Sequence, residues 1–126
     1  MAKRKQDPEI SELKYLQDTL YVISGKWKLQ ILFTLSMGHK RYSDILKNIP
    51  GITSRMLSKE LKELELNKIV VRTTYEDSSV RVDYEITDYC DSFDPIIRQM
   101  INWGKGHRKY LSEIDKTTMR QLKESC

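Results

Sequence analysis

Apolar residues recur at helical spacing through the first half of the chain and then, abruptly, at every second position. Ile10, Leu13, Leu16 and Leu20 follow Asp7-Pro8, an N-cap and first-turn pair, and predict a first helix over residues 7–22. Gly25 interrupts the pattern. Trp27, Ile31 and Leu35, with Leu32 beside them, predict a second helix that ends near Gly38. Residues 39–42 read as a brief strand, and Ser43 as the cap of a small third helix carrying Ile45, Leu46 and Ile49. Pro50-Gly51 marks a turn, Thr53 caps a fourth helix over residues 53–66, and Ile52 and Leu57 flank that cap as a hydrophobic staple. On this helix Leu57, Leu61 and Leu64 share a stripe that must face a core, while Arg55, Ser58, Lys59 and Lys62 project from the other side.

After Asn67 the period changes to two. Residues 69–75, "IVVRTTY", are rich in β-branched side chains, and residues 80–86, "VRVDYEI", put Val80, Val82, Tyr84 and Ile86 on one face with Arg81, Asp83 and Glu85 on the other. The polar "EDSS" between them makes a hairpin with a projecting loop. Helix, turn, helix, strand, loop, strand is the order of a winged helix-turn-helix. The predicted fold is therefore α+β, mainly α, with a two- to three-stranded wing sheet and additional N- and C-terminal helices. From Asp88 onward Phe93, Ile96, Ile97 and Met100 form a helical stripe, and Trp103, Tyr110, Leu111, Ile114 and Leu122 extend it beyond what a small core needs. A second copy of the chain would cover that surplus, and the competing reading folds the segment back on its own chain. In a two-fold dimer of this architecture the helices over residues 53–66 of the two copies stand about 34 Å apart, one turn of a DNA duplex, so any DNA site they meet is pseudo-palindromic.

Composition narrows the setting. A chain of 126 residues, 32% charged and 39% hydrophobic, suits one globular domain over residues 1–126, with a core over about 20–103 and a basic tail over 1–8. No apolar run approaches the roughly 18–20 residues of a membrane span, and the start "MAKRKQDPE" lacks the apolar segment of a secretory signal. A cytoplasmic protein without a membrane partner is expected. The net charge is +4, and residues 40–62, with six basic side chains against two acidic, carry a local excess of the same size. Such a patch around one helix is an electrostatic footprint for phosphate, so double-stranded DNA is the expected partner.

That partner assigns roles. Arg55 and Lys59 are a like-charge i,i+4 pair that disfavours an isolated helix by about 0.2–0.5 kcal/mol unless an anion lies against it. Ser54, Arg55 and Ser58 are placed to read bases, while Lys40, Arg41, Lys59, Lys62 and Arg81 are placed to contact phosphate. Ser43, Thr53 and the loop residues Ser78 and Ser79 complete the candidate DNA-binding set, with residues 53–66 as recognition helix and 75–81 as wing.

The segments "GKWKLQIL", "HKRYSDILKNIPGITSRMLSKELKELE", "VRVDYEIT" and the later "DPII" and "WG" resemble, in order and spacing, the HxlR-type winged-helix transcription regulators. The resemblance covers about residues 20–103. It implies a cytoplasmic homodimer that binds operator DNA, dimerises through its first and last helices (residues 7–22 and 88–123), and represses or activates neighbouring genes. Several such regulators sense oxidants through a cysteine near the first helix, where this chain has Leu13-Lys14-Tyr15. Cys90 is then the candidate redox residue, at a helix start that lowers a thiol pKa but beside Asp88 and Asp91, which raise it. The loop carries Asp77-Ser78-Ser79 where the family pattern has prolines. A small-molecule effector is a further candidate partner, with Trp27, Tyr89 and Trp103 as the place to look for its pocket.

Other classes fare worse. His39 and His107 are isolated, Cys90 and Cys126 lie far apart, and no Gly-rich loop follows a strand, so neither catalysis, a cofactor nor a metal site is expected. Asp88, Asp91 and Asp94 recur every third residue, but acidic residues at a helix start answer the helix dipole. The alternative function is a winged helix that meets an acidic protein and binds DNA only weakly and without sequence preference.

Overall fold

The helical half of the chain folds where its periodicity places it. In the computed structural model, which describes residues 8–76 and 80–124, α1 spans Pro8–Ile23, α2 Lys28–Ser36, α3 Tyr42–Asn48 and α4 Ser54–Leu66. Strands β1, Val70–Glu76, and β2, Val80–Ile86, follow. A short 3-10 turn, Asp88–Phe93, precedes α5, Asp94–Glu124. The Asp7 cap expected for α1 lies outside the described residues. Two compact units result, Met1–Asp91 and Ser92–Cys126.

In the first unit α2 is the hub, touching α3, α4 and β2. Ile31, Leu32 and Leu35 from α2, Ile45 from α3, Leu57, Leu61 and Leu64 from α4, and Val70 from β1 are buried together as its core. Ile31, Leu32, Ile45, Leu57, Leu61 and Leu64 are fully enclosed, and truncation of such a side chain to Ala costs about 2–5 kcal/mol. By contrast, every side chain of α1 from Ser11 to Tyr21 is exposed, the Leu13, Leu16 and Leu20 stripe included.

Two boundaries differ from those expected. Helix α3 starts at Tyr42, so Ser43 sits inside its first turn and the N-cap is Arg41, without a side-chain cap. The cause is tertiary: Arg41 pairs with Asp83 as an isolated antiparallel bridge, and Tyr84 N donates to Lys40 O at 2.8 Å. This holds residue 41 extended, and the helix begins immediately after it. The brief strand expected at residues 39–42 is thus a single bridge beside a two-stranded ribbon. The long C-terminal helix begins at Asp94 rather than Asp88, because Pro95 has no N–H to bond and suits a first turn.

Helix α4 is closed at both ends. Thr53 Oγ1 accepts from Met56 N at 3.2 Å, with Ile52 and Leu57 buried as the staple across the cap. At the other end Lys68 N donates to Glu65 O and Ile69 N to Leu64 O, a Schellman closure that places Lys68 at φ 63°. Buried Leu64 and Ile69 supply the apolar contact of that motif, and the chain passes directly into β1. Before the cap Gly51 takes φ 86°; a Cβ there would stand 3.7 Å from Trp27 Cη2, an ordinary contact, so conformation and not space calls for glycine.

An ion cluster fixes α4 to α2. Lys28 Nζ donates to Glu60 Oε2 at 2.7 Å and to Glu63 Oε2 at 2.5 Å, with Lys28 and Glu60 buried. Burial pushes the Lys28 ammonium pKa down, but the hydrogen bonds and charges of the two carboxylates outweigh it and raise the pKa overall. The hydrogen bond from Lys28, then its charge, holds the Glu63 carboxyl below the ordinary carboxylate range.

Lys28→Met leaves Glu60 buried without a counter-ion and is expected to lower the unfolding free energy by about 3 kcal/mol, measured by urea denaturation at pH 7. Adding Glu60→Leu should recover much of that loss. The depressed Glu63 pKa contributes stability above its unfolded value, and that contribution is lost as pH falls through the folded value. The raised Lys28 pKa contributes fully at neutral pH and is lost only as pH rises through the folded value. Acidification below about pH 4 should therefore cost the wild type more than Lys28→Met.

Candidate nucleic-acid interface

Pinned on its inner side, α4 presents an exposed outer face about 20 Å long. Ser54, Arg55, Ser58, Lys59 and Lys62 are all exposed on it. Arg55 and Lys62 have no acidic partner among the described residues. Lys59 lies one turn before Glu63 and helps hold that carboxyl down, so part of the repulsion between Arg55 and Lys59 is answered within the helix. The acidic side chains of α4 that point inward, Glu60 and Glu63, are occupied by Lys28. Positive charge therefore dominates the outer face.

A residue not expected from the sequence shapes this face. The Tyr42 phenol on α3 donates to Ser54 O at 2.6 Å, and its oxygen lies 2.8 Å from Ser58 Oγ and 3.3 Å from Ser54 Oγ. Both serines expected to read bases are thus in contact with one tyrosine. The signal in the sequence was the Arg41-Tyr42 pair at the start of α3, but nothing in one-dimensional spacing aims its hydroxyl at the next helix.

The ribbon engages its own basic residues. Lys40 Nζ pairs with Glu85 Oε1 at 3.0 Å, and that hydrogen bond, with the carboxylate's charge, raises the ammonium pKa. The pair is exposed, so salt screens it and a phosphate can replace the glutamate. Arg81 lies opposite Tyr75 in the register and places its guanidinium 4.4 Å from the ring centre. Its Nε is 3.7 Å from the buried Asp83 Oδ1, and neither atom has a hydrogen-bond partner. Arg81 is drawn back over the ribbon rather than extended from it. Arg41 and Ser43 are exposed at the start of α3, and Ser78 and Ser79 lie outside the described residues.

Of the aromatic residues considered for an effector pocket, Trp27 and Tyr89 belong to the first unit and Trp103 to the second. Trp27 is half-buried, with Gly51 against its indole edge and Lys26 Nζ 4.7 Å from its ring centre. Tyr89 is 78% exposed in the 3-10 turn. Trp103, in the second unit, is 70% exposed and stacks on His107 with ring centres 4.8 Å apart. Cys90 sits in the 3-10 turn ahead of α5, not at the N-terminus of the long helix; it is buried, and burial, then the charge of Asp91, pushes its thiol up. Neither effect favours a reactive thiolate.

Compared with known families, residues 22–112 match the HxlR-like helix-turn-helix family. The chain belongs to that family. It is 38% identical over 101 residues to the HTH-type transcriptional regulator YdeP of Bacillus subtilis, covering 80% of this chain and 77% of YdeP. It is 36% identical over 110 residues to YtcD of the same organism, covering 87% and 85% of the two chains. Among solved structures it is similar to the redox regulator HypR in its reduced form, with a TM-score of 0.71 and 37% identity over 78% of this chain and 97% of that one. The YtcD structure gives a TM-score of 0.69 at 37% identity, covering 75% and 96%. This HxlR-type chain is a helix-turn-helix transcriptional regulator and not an enzyme. Among its described residues no helix is long and apolar enough to cross a membrane.

In a Cys126→Ser variant, where Cys90 is the one thiol, reaction with a chromogenic disulfide at pH 7 should be at least about tenfold slower in the folded protein than in urea.

Proposed function

We propose that this HxlR-type chain binds an operator in a sequence-specific manner as a homodimer, with α4 in the major groove and the ribbon against the flanking backbone. The observation that carries the reading is the two-sidedness of α4. Its inner face is fixed by Leu57, Leu61, Leu64 and the Lys28 ion cluster, while Arg55, Lys59 and Lys62 stand exposed on the outer face beside Ser58, which Tyr42 holds. A major groove about 12 Å wide admits such a helix. Arg55, with no acidic partner among the described residues, can lie bidentate on guanine O6 and N7, whereas Lys59, Lys62 and Arg41 take phosphates. Lys40 and Arg81 exchange Glu85 and Asp83 for phosphate when the ribbon meets DNA.

Two surfaces support the dimer. In the first unit α1 exposes Leu13, Tyr15, Leu16, Leu20 and Tyr21. In the second, α5 exposes Ile96, Met100, Trp103, Tyr110, Leu111, Ile114, Met119 and Leu122. Apolar surface on this scale marks an interaction site.

Fluorescence anisotropy on DNA from the chain's own upstream region, against a scrambled duplex, tests the operator reading. Wild type should prefer the upstream DNA, and Arg55→Ala should lose about 1–3 kcal/mol of that preference while retaining salt-dependent binding to both duplexes. Equal binding of the two duplexes by wild type would sink the sequence-specific reading and leave the phosphate contacts.

Light scattering should give twice the chain mass for wild type, and a shift toward the monomer for Leu16→Asp with Ile114→Asp. A monomeric wild type at micromolar concentration would remove the two-fold operator.

A further inference from the structure

Hydrogen-bond accounting around Tyr42 goes beyond a general DNA contact. A phenol has one proton to give. Ser54 O is a carbonyl and can only accept, so the 2.6 Å contact requires the Tyr42 proton. The Tyr42 oxygen is left with lone pairs alone, and the 2.8 Å contact to Ser58 Oγ then requires the Ser58 proton. A helical serine ordinarily has another outlet, donation to the carbonyl one turn back. Ser24 and Ser36 take that outlet, each donating to the carbonyl three residues back, but among the described residues the Ser58 hydroxyl bonds Tyr42 instead, and Ser54 O already accepts both the Tyr42 proton and the helical N–H of residue 58. The Ser58 hydroxyl is therefore not a free rotor: its proton points to Tyr42, and its lone pairs face the exposed side of α4.

Resting on the operator reading above, we infer that Tyr42 is a positioning residue for base recognition, fixing Ser58 as a hydrogen-bond acceptor. In the major groove, adenine N6 and cytosine N4 offer amino donors, while guanine O6 and thymine O4 offer only acceptors. A serine with a free hydroxyl serves either kind; one locked as an acceptor serves only the amino bases and leaves lone pairs opposed to lone pairs on the others. Ser58 then selects adenine or cytosine on the strand it faces, at one position in each half-site. Arg55, which can only donate, selects guanine nearby. The two readings are complementary, and Tyr42 makes them so without touching DNA itself.

The test is selection from a randomised duplex library by wild type, Tyr42→Phe and Ser58→Ala, at one salt concentration, with sequencing of the bound fraction. Phenylalanine keeps the ring, and thermal melting of each variant confirms that α4 remains docked. Wild type should show one position per half-site, mapped as the one that changes in Ser58→Ala, where adenine or cytosine is preferred. At that position Tyr42→Phe should narrow the preference over guanine and thymine by roughly fivefold, with the Arg55-dependent positions and binding to non-specific DNA unchanged. Duplexes carrying adenine or cytosine there, each compared with its amino-free analogue, tell which amino base is read. A Tyr42→Phe profile identical to wild type would overturn the inference, as would a guanine or thymine preference at the Ser58 position. A uniform loss of affinity across all positions would make Tyr42 merely structural and overturn it too. Should wild type enrich no sequence at all, the operator reading itself falls.

Discussion

Lys28, buried beneath α4 between two carboxylates, is the contact on which the exposed chemistry depends. A leucine stripe alone holds a helix against a core but resists sliding or rotation only weakly, because dispersion has little direction. Two charge-assisted hydrogen bonds from one ammonium, to Glu60 and to Glu63 one turn apart, fix the axial position and the rotation of α4. They also consume negative charge that would otherwise lie beneath the basic face. The direction in which Arg55, Lys59 and Lys62 point thus follows from an interaction on the opposite side of the same helix.

The same division of labour recurs at each end of the site. Thr53 and the Ile52–Leu57 staple set where α4 starts, and the Schellman closure with Lys68 in the left-handed region sets where it stops. Tyr42 adds the third constraint, holding α3 to the first two turns of α4 and tying side-chain hydroxyls as well as backbone. In the ribbon the buried Asp83 holds Arg41 through a backbone bridge and has the Arg81 Nε 3.7 Å from its carboxylate, so one residue positions both. Acidic residues in this unit shape the basic surface more than they dilute it.

Membership of the HxlR-like family fits this arrangement and gives it a context, since the relatives are regulators built on the same helix order. The redox control named for HypR has no obvious counterpart in Cys90. A buried thiol beside Asp91 lacks both the access and the electropositive surroundings that make a cysteine responsive.

Much of this was legible in one dimension. Helical and alternating periods located α1 to α4 and both strands; in α2 to α4 burial of one face imposes the period, whereas the stripe of α1 is periodic but exposed in the single chain. The local cap at Thr53 and the basic run over residues 40–62 were equally readable, being matters of neighbouring residues and summed charge. What the sequence left undecided was every contact between residues distant along the chain. The start of α3 at Tyr42, the single bridge of Arg41 to Asp83, the recruitment of Lys28 by Glu60 and Glu63, and the phenol of Tyr42 against Ser54 and Ser58 all join separate elements. Periodicity says which face is turned inward; it carries no information about which polar group meets which once the faces are packed. Only the tertiary structure pairs them, because a hydrogen bond depends on distances of a few tenths of an ångström that no spacing along the chain encodes.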